Sequence, residues 1–197
     1  MNIVIIGGTG LIGSKLIQKL REHGHRAVPA SPDTGVDTLT GGGLDEALGD
    51  MRAKAAQENL IRSSPIPYSI VHATQFFEFV RRIADEATDG ERVRVPHALI
   101  QPIAADDVAK AVCRVAVGSP VNGIVEVAGP EIFHFDELIR QGLAASNDRR
   151  RVIADPSARY FGALLGERTL LPGADASIGE THFQDWLSKQ KQVAGAH

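Results

Sequence analysis

"NIVIIGGTGLIGSKLIQKLREHGHRAVPAS", residues 2–31, decides the fold. Residues 2–6 are a short apolar run rich in β-branched side chains, the pattern of a buried parallel strand. Gly7-x-x-Gly10-x-x-Gly13 follows. Leu11, Ile12, Leu16, Ile17 and Leu20 then repeat at helical spacing, and Gly24 is a stop signal behind that helix. "HRAVPA" reads as a second strand. The order strand, glycine turn, helix, strand predicts a βαβ unit.

That unit has a chemistry built into it. A strand that turns sharply into a helix needs a residue tolerant of unusual backbone angles, which the first glycine supplies. The next glycine lets a cofactor pyrophosphate approach the main chain, and Gly13 lets helix and strand pack closely. The helix N-terminus offers free N–H groups and a partial positive charge to phosphate. Gly7, Gly8, Thr9, Gly10, Leu11, Ile12 and Gly13 are therefore the candidate pyrophosphate contacts. The bland alternative is a structural turn with no cofactor.

Bulk properties narrow the field. The chain has 197 residues, 43% hydrophobic and 23% charged, which suits a globular domain with a sizeable core. A net charge of −3 gives no electrostatic case for nucleic acid or an anionic membrane. The N-terminus has no basic region ahead of its apolar run, and no stretch approaches a membrane span. The single cysteine, Cys113, excludes an internal disulfide and favours a reducing, cytoplasmic setting. It reads as a small buried hydrophobe rather than a nucleophile. The acids Asp33, Asp37 and Asp45 do not have the spacing of a calcium loop, so no metal is expected.

"IGGTGLIG" at 6–13 resembles the short-chain dehydrogenase/reductase superfamily, and most of all its extended and atypical branches, including NmrA-like proteins. The resemblance implies NAD(P) on a Rossmann-like, doubly wound parallel sheet with a small C-terminal substrate lobe. In NAD enzymes of such folds an acid at the end of the second strand binds the adenosine ribose. Here Ala30, Ser31 and Pro32 hold that place, and Asp33 comes late. Ser31 donates to a 2′-phosphate without repelling it, so NADP(H) is favoured over NAD(H).

The second half continues the resemblance. "MRAKAAQENLIRSS" from Met51 reads as a helix, with Ala53, Ala56, Leu60 and Ile61 on one face. Its "MRAK" resembles the end of the family's catalytic Y-x-x-x-K, which aligns Lys54 with the lysine that binds the nicotinamide ribose and tunes the tyrosine. The tyrosine would stand at position 50, which is Asp50. Lys54 is thus either a cofactor and catalytic contact or an exposed helix lysine. "PYSIVHATQFFEFV" reads as a strand, Tyr68 to His72, then a loop. By resemblance, Ala73 and Thr74 touch the cofactor, while His72, Gln75 and Phe76 open the substrate pocket. His72 is alternatively a half-buried strand-end residue, and Phe76, Phe77 and Phe79 are alternatively core. "RVRVP" reads as a strand. "IQPIAADDVAKAVCRVAV" reads as a helix capped by Asp106 or Asp107. "GIVEVAGPE" reads as strand and turn, and "HFDELIRQGL" opens a helix. Arg149–Arg151 reads as a solvated turn, and Tyr160, Phe161 and Leu164 suit a small lobe.

The resemblance runs in two blocks, about 1–48 and 51–190. Complete members carry two to three further βα units between these blocks, roughly 60–90 residues. Either residues are absent between Asp50 and Met51, or the deletion is real. If the deletion is real, the first strand loses its neighbours, and its apolar faces and ladder groups lie bare. The domain division expected is 1–130 for the NAD(P)-binding domain, interrupted near 50/51, and 131–197 for the lobe. The function expected is hydride transfer between NAD(P)H and a small carbonyl, quinone or enone, with a homodimer as the superfamily's habit. The rival is a non-catalytic NAD(P)-binding redox sensor. A sugar-nucleotide epimerase relative ranks third, because its substrate lobe is larger.

Overall fold

β1 (Asn2–Ile6) and β2 (Arg26–Ala30) pair in parallel, with Asn2 opposite Arg26 and Ile6 opposite Ala30. The chain between them forms α1 (Leu11–Glu22). This and all that follows comes from a computed structural model, which describes residues 1–30 and 44–194, with side chains at 1–30 and 54–192. α1 stops where the sequence predicts, with His23 as its last cap and Gly24 at φ +76°. Alternation in β1 decides what is buried. Ile3 and Ile5 pack with Leu16, Ile17 and Leu20 of α1 and Ala27 of β2. Cys113 closes that core at 5% exposure, as a small hydrophobe should.

The other face of this parallel pair is exposed at three apolar side chains. Val4 is 69% exposed, Ile6 65% and Val28 44%, although Val4 and Val28 stand opposite each other in register. Among the described residues β1 has β2 as its sole strand neighbour. A parallel strand normally has both faces covered and both edges paired.

Two compact units divide the chain, each assembled from two segments. The first holds Met1–His72 and Ala105–Val125. Besides the βαβ unit it contains α2 (Leu44–Ser63) and α4 (Ala105–Val117). Asp50 and Met51 are consecutive residues of α2, which runs through both without interruption. The apolar stripe read on this helix is not buried: Ala56 is exposed and Leu60 is 72% exposed. Ala53 lies outside the described side chains. α4 packs on α1, where Lys15 Nζ donates to Asp106 Oδ2 at 2.8 Å. Asp106 and Asp107 thus sit within the first turn of α4 rather than capping it, and Asp106 ties two helices together.

The second unit holds Ala73–Ala104 and Glu126–His197. α3 (Val80–Glu86), α5 (Phe135–Ala145) and α6 (Phe183–Ala194) surround a core of Phe77, Val80, Ile83, Phe135, Leu138, Ile139 and Phe183. β4 (Thr88–Asp89) turns into β5 (Arg92–Val95), which pairs in parallel with β9 (Arg151–Ala154). β6 (Leu99–Ile100) pairs with β8 (Phe133–His134). β3 (Ser69–Ala73), β7 (Gly123–Ala128) and β10 (Ser177–Ile178) form a sheet in the order β10-β7-β3, with β10 parallel to β7; residues 69–72 of β3 and 123–125 of β7 belong to the first unit. The fold is α/β with parallel sheets and is Rossmann-like.

One sequence reading is corrected in this unit. Arg149 and Arg151 are exposed as expected, but Arg150 between them is not merely solvated. Arg150 donates to Asp148 Oδ2 and to Asp85 Oδ1, both at 2.7 Å, and to Thr88 Oγ1 at 2.7 Å. Arg151 enters β9 opposite Arg92. Two of these contacts of Arg150 come from residues 62 and 65 positions away, so a local reading of three consecutive arginines does not find them.

Candidate functional site

The glycine turn is built by steric necessity. Gly7 sits at φ +73°, a left-handed conformation that a Cβ disfavours. Its N–H donates to Ala30 O at 2.7 Å, which locks the turn to the end of β2. Gly10 N–H then donates to Gly7 O at 3.0 Å. A Cβ on Gly13 would lie 2.2 Å from Gly7 O and 2.7 Å from Gly8 Cα, so α1 approaches the turn as only a glycine permits. Gly10 is the N-cap of α1, and no side chain caps the helix. The first-turn N–H groups of α1 therefore have no side-chain acceptor. Thr9 and Leu11 are exposed beside them, and Ile12 and Gly13 are half-buried. This is the local geometry that accepts a phosphate or diphosphate.

The turn fits the diphosphate of a dinucleotide. A dinucleotide crevice also needs a wall on the far side of the first strand, where strand order reverses. Among the described residues no strand pairs there with β1. Ser31, the residue read as selecting the 2′-phosphate, lies outside the described residues.

In the same unit, His72 Nε2 lies 2.7 Å from Glu58 Oε1, joining the end of β3 to α2. Arg62 stands 3.6 Å from the other oxygen of Glu58. Lys54 is exposed on α2, one helical turn before Glu58. Asp50, at the place of the family's tyrosine, lies in α2 with its side chain outside the described ones. Glu58 was missed by sequence reading. Its i,i+4 spacing from Lys54 was the available signal.

In the second unit, the loop after β3 carries Ala73, Thr74, Gln75 and Phe76. Ala73 is exposed and the others are half-buried. The loop is pinned by its backbone: Thr74 N–H donates to Val127 O at 3.1 Å and Ile103 N–H to Gln75 O at 2.8 Å. Thr74 Oγ1 and Gln75 Oε1 are buried without a hydrogen-bond partner among the described residues. Such atoms are rare in folded proteins, because desolvation without compensation is costly, and they are the kind a polar ligand satisfies. Gln101 Nε2 donates to Gly129 O at 2.7 Å in a neighbouring crossing, and a Cβ on Gly129 would stand 1.8 Å from Pro102 O. The phenylalanines divide. Phe77 is core at 1% exposure, Phe79 is 42% exposed, and Phe76 is half-buried with its ring stacked on Phe79 at 5.4 Å. No group of histidine, cysteine and acidic residues among the described ones could hold a metal ion. No described helix is long and apolar enough to cross a membrane.

The sequence profile of the NAD dependent epimerase/dehydratase family matches residues 3–113, more than half of the chain. No curated protein matches it. Among solved structures, MoeE5 in complex with UDP-glucose and NAD is similar over 100% of this chain and 99% of its own, at 12% identity and a TM-score of 0.65. The UDP-N-acetylglucosamine 4-epimerase from Bacillus cereus is similar over 99% of each chain, at 9% identity and a TM-score of 0.61. A nucleoside-diphosphate-sugar epimerase from Staphylococcus aureus covers 95% of this chain and 99% of its own, at 13% identity and a TM-score of 0.59. At these identities the likeness is one of fold.

Proposed function

The chain belongs to the NAD dependent epimerase/dehydratase family, and on that premise we propose that it binds a nicotinamide dinucleotide diphosphate on the Gly7–Gly13 turn and acts as an NAD(P)H-dependent reductase. The observation that carries the reading is the closure of that turn, with Gly7 left-handed, Gly13 against Gly7 O, and α1 without a side-chain cap. The substrate class proposed is a small carbonyl, quinone or enone, and the cofactor preferred is NADP(H).

The bound cofactor supplies the hydride. The chain's own residues do the rest. The turn holds the diphosphate by backbone N–H groups, and Lys54, in the same unit, binds the ribose hydroxyls. With no phenol at position 50, the proton for the substrate oxygen comes from His72, oriented by Glu58. The support for this is geometric: a histidine whose other partner is a carboxylate is the usual arrangement of an oriented acid.

A second reading has its own observation. Asp50 cannot act as a lysine-tuned phenolic acid, and among the described residues β1 has no strand on its far edge. Both follow if the family's central βα units are deleted, and the NmrA-like resemblance implies dinucleotide binding without turnover. The protein would then bind dinucleotide and report on it without turnover. Similarity to epimerases that use sugar nucleotides adds nucleotide-linked carbonyl substrates to the panel. Steady NADPH oxidation with any member of that panel, lost in His72→Asn, supports the reductase. Cofactor binding with no oxidation across the panel replaces it with the sensor.

A further inference from the structure

We propose that the second unit carries a binding site for a small organic anion with a flat apolar body, such as an aromatic carboxylate, in the cleft between α3, α5 and α6. The cleft has a volume of about 420 Å³, within the usual range for small-molecule sites. All of its lining residues belong to this one unit, so the site is independent of the glycine turn.

Its floor is aromatic. Phe77 and Phe183 stand 4.9 Å apart between ring centroids, and Trp186 lies 5.8 Å from Phe77 and 5.9 Å from Phe183. The Phe183 and Trp186 rings are stacked within 12° of parallel, and Trp186, half-buried, is the member of the pair left open to a flat guest. Phe77 and Phe183 are fully buried, which fixes the floor in place. Trp186 is further held by its indole N–H, which donates to Glu78 Oε1 at 3.3 Å.

Its charge selects an anion. Arg81 and Lys191 also line the cleft, on α3 and α6, and Glu78 is the one acid among the lining residues. Two cations against one carboxylate leave the cleft one positive charge in excess. Glu78 accepts from the indole N–H, and Arg81 also acts on Asp148 beyond the cleft, holding that carboxyl down. A guest whose ring lies on Trp186 directs a carboxylate to the Arg81 and Lys191 side chains, where charge-assisted hydrogen bonds hold it. A neutral guest of the same shape has the apolar contact alone.

Trp186 is the only tryptophan in the chain, so its fluorescence reports the cleft directly. The full chain is titrated with hydrocinnamate and with its neutral counterpart, hydrocinnamyl alcohol, under selective tryptophan excitation. The site predicts a saturable change for the acid with a dissociation constant at least tenfold below that of the alcohol. Arg81→Gln combined with Lys191→Gln removes that difference. Ala145→Phe, which fills the cleft from α5, abolishes the response to both while circular dichroism and the melting temperature stay near wild type. Equal affinity for acid and alcohol overturns the proposal, and so does a linear, unsaturable response. A saturable response that survives unchanged in Ala145→Phe also overturns it, since the ligand then sits elsewhere.

Discussion

Gly13 stands so close to Gly7 that a Cβ on Gly13 would lie 2.2 Å from the Gly7 carbonyl oxygen. That distance is far inside van der Waals contact with a backbone atom, which cannot rotate away as a side chain can. Gly13→Ala must push α1 off the turn. Overpacking of this kind costs about 1–3 kcal/mol. Chemical denaturation of Gly13→Ala should show that loss in the midpoint, with an unchanged slope.

Asp106 of α4 accepts from Lys15 of α1 at 2.8 Å, with Lys19 at 4.0 Å. Half of the Asp106 side chain is exposed, so the pair contributes about 0.5 kcal/mol and is screened by salt. Asp106→Asn should lower the melting temperature slightly in dilute buffer. The difference from wild type should vanish at molar salt. A loss that persists there would mean Asp106 acts through packing rather than charge.

Tyr160 meets Phe135 edge-on at 5.3 Å, and burial, reinforced by the Glu86 carboxylate, pushes its phenol up from 10.0 to about 12. The folded protein therefore resists losing this proton more than the unfolded chain does. The stability this provides is whole below pH 10 and is lost as pH rises through about 12. Tyr160→Phe should flatten the fall in melting temperature across that window. An unchanged alkaline profile would place the sensitive group elsewhere.

Asp148 behaves in the opposite sense. Hydrogen bonds from Arg150 hold its carboxyl below the ordinary value of 3.8. Its contribution is present above that value and is lost as pH falls through the lower folded one. Arg150→Gln also releases Asp85 and Thr88. It should move the acid unfolding midpoint of the second unit upward in pH. Asp148→Asn should do the same and add little to Arg150→Gln.

Cys113 is 5% exposed within the core of the first unit, away from the conditions that make a thiolate reactive. A thiol reagent in native buffer should label it at the rate of unfolding, and at once in denaturant. Fast labelling of the native protein would contradict the packing described.

The βαβ opening was legible because its signals are local. The β-branched run, the three glycines and the stop at Gly24 each act within one or two turns of chain. α4, α5, β5 and β7 were legible for the same reason. The links that join distant segments were not. Lys15 finds Asp106 across 91 positions and Arg150 finds Asp85 across 65, and no local pattern encodes either. α2 misled in a different way. Ala56 and Leu60 have the spacing of a buried stripe, yet they are exposed, because a stripe is buried only when something packs on it. The candidate site was legible at Gly7–Gly13 and at the loop of Thr74 and Gln75. The carboxylate that holds His72 was not, since Glu58 looks like any other exposed helix acid.

The measurement that bears most directly on dinucleotide binding is a titration of the purified chain against NADPH, followed by the nicotinamide fluorescence, for wild type and Gly13→Val. The account predicts saturable binding by wild type, weaker binding of NADH, and at least a tenfold loss in Gly13→Val, which remains folded by circular dichroism. Equal binding by wild type and a folded Gly13→Val, or no binding by wild type, would contradict it.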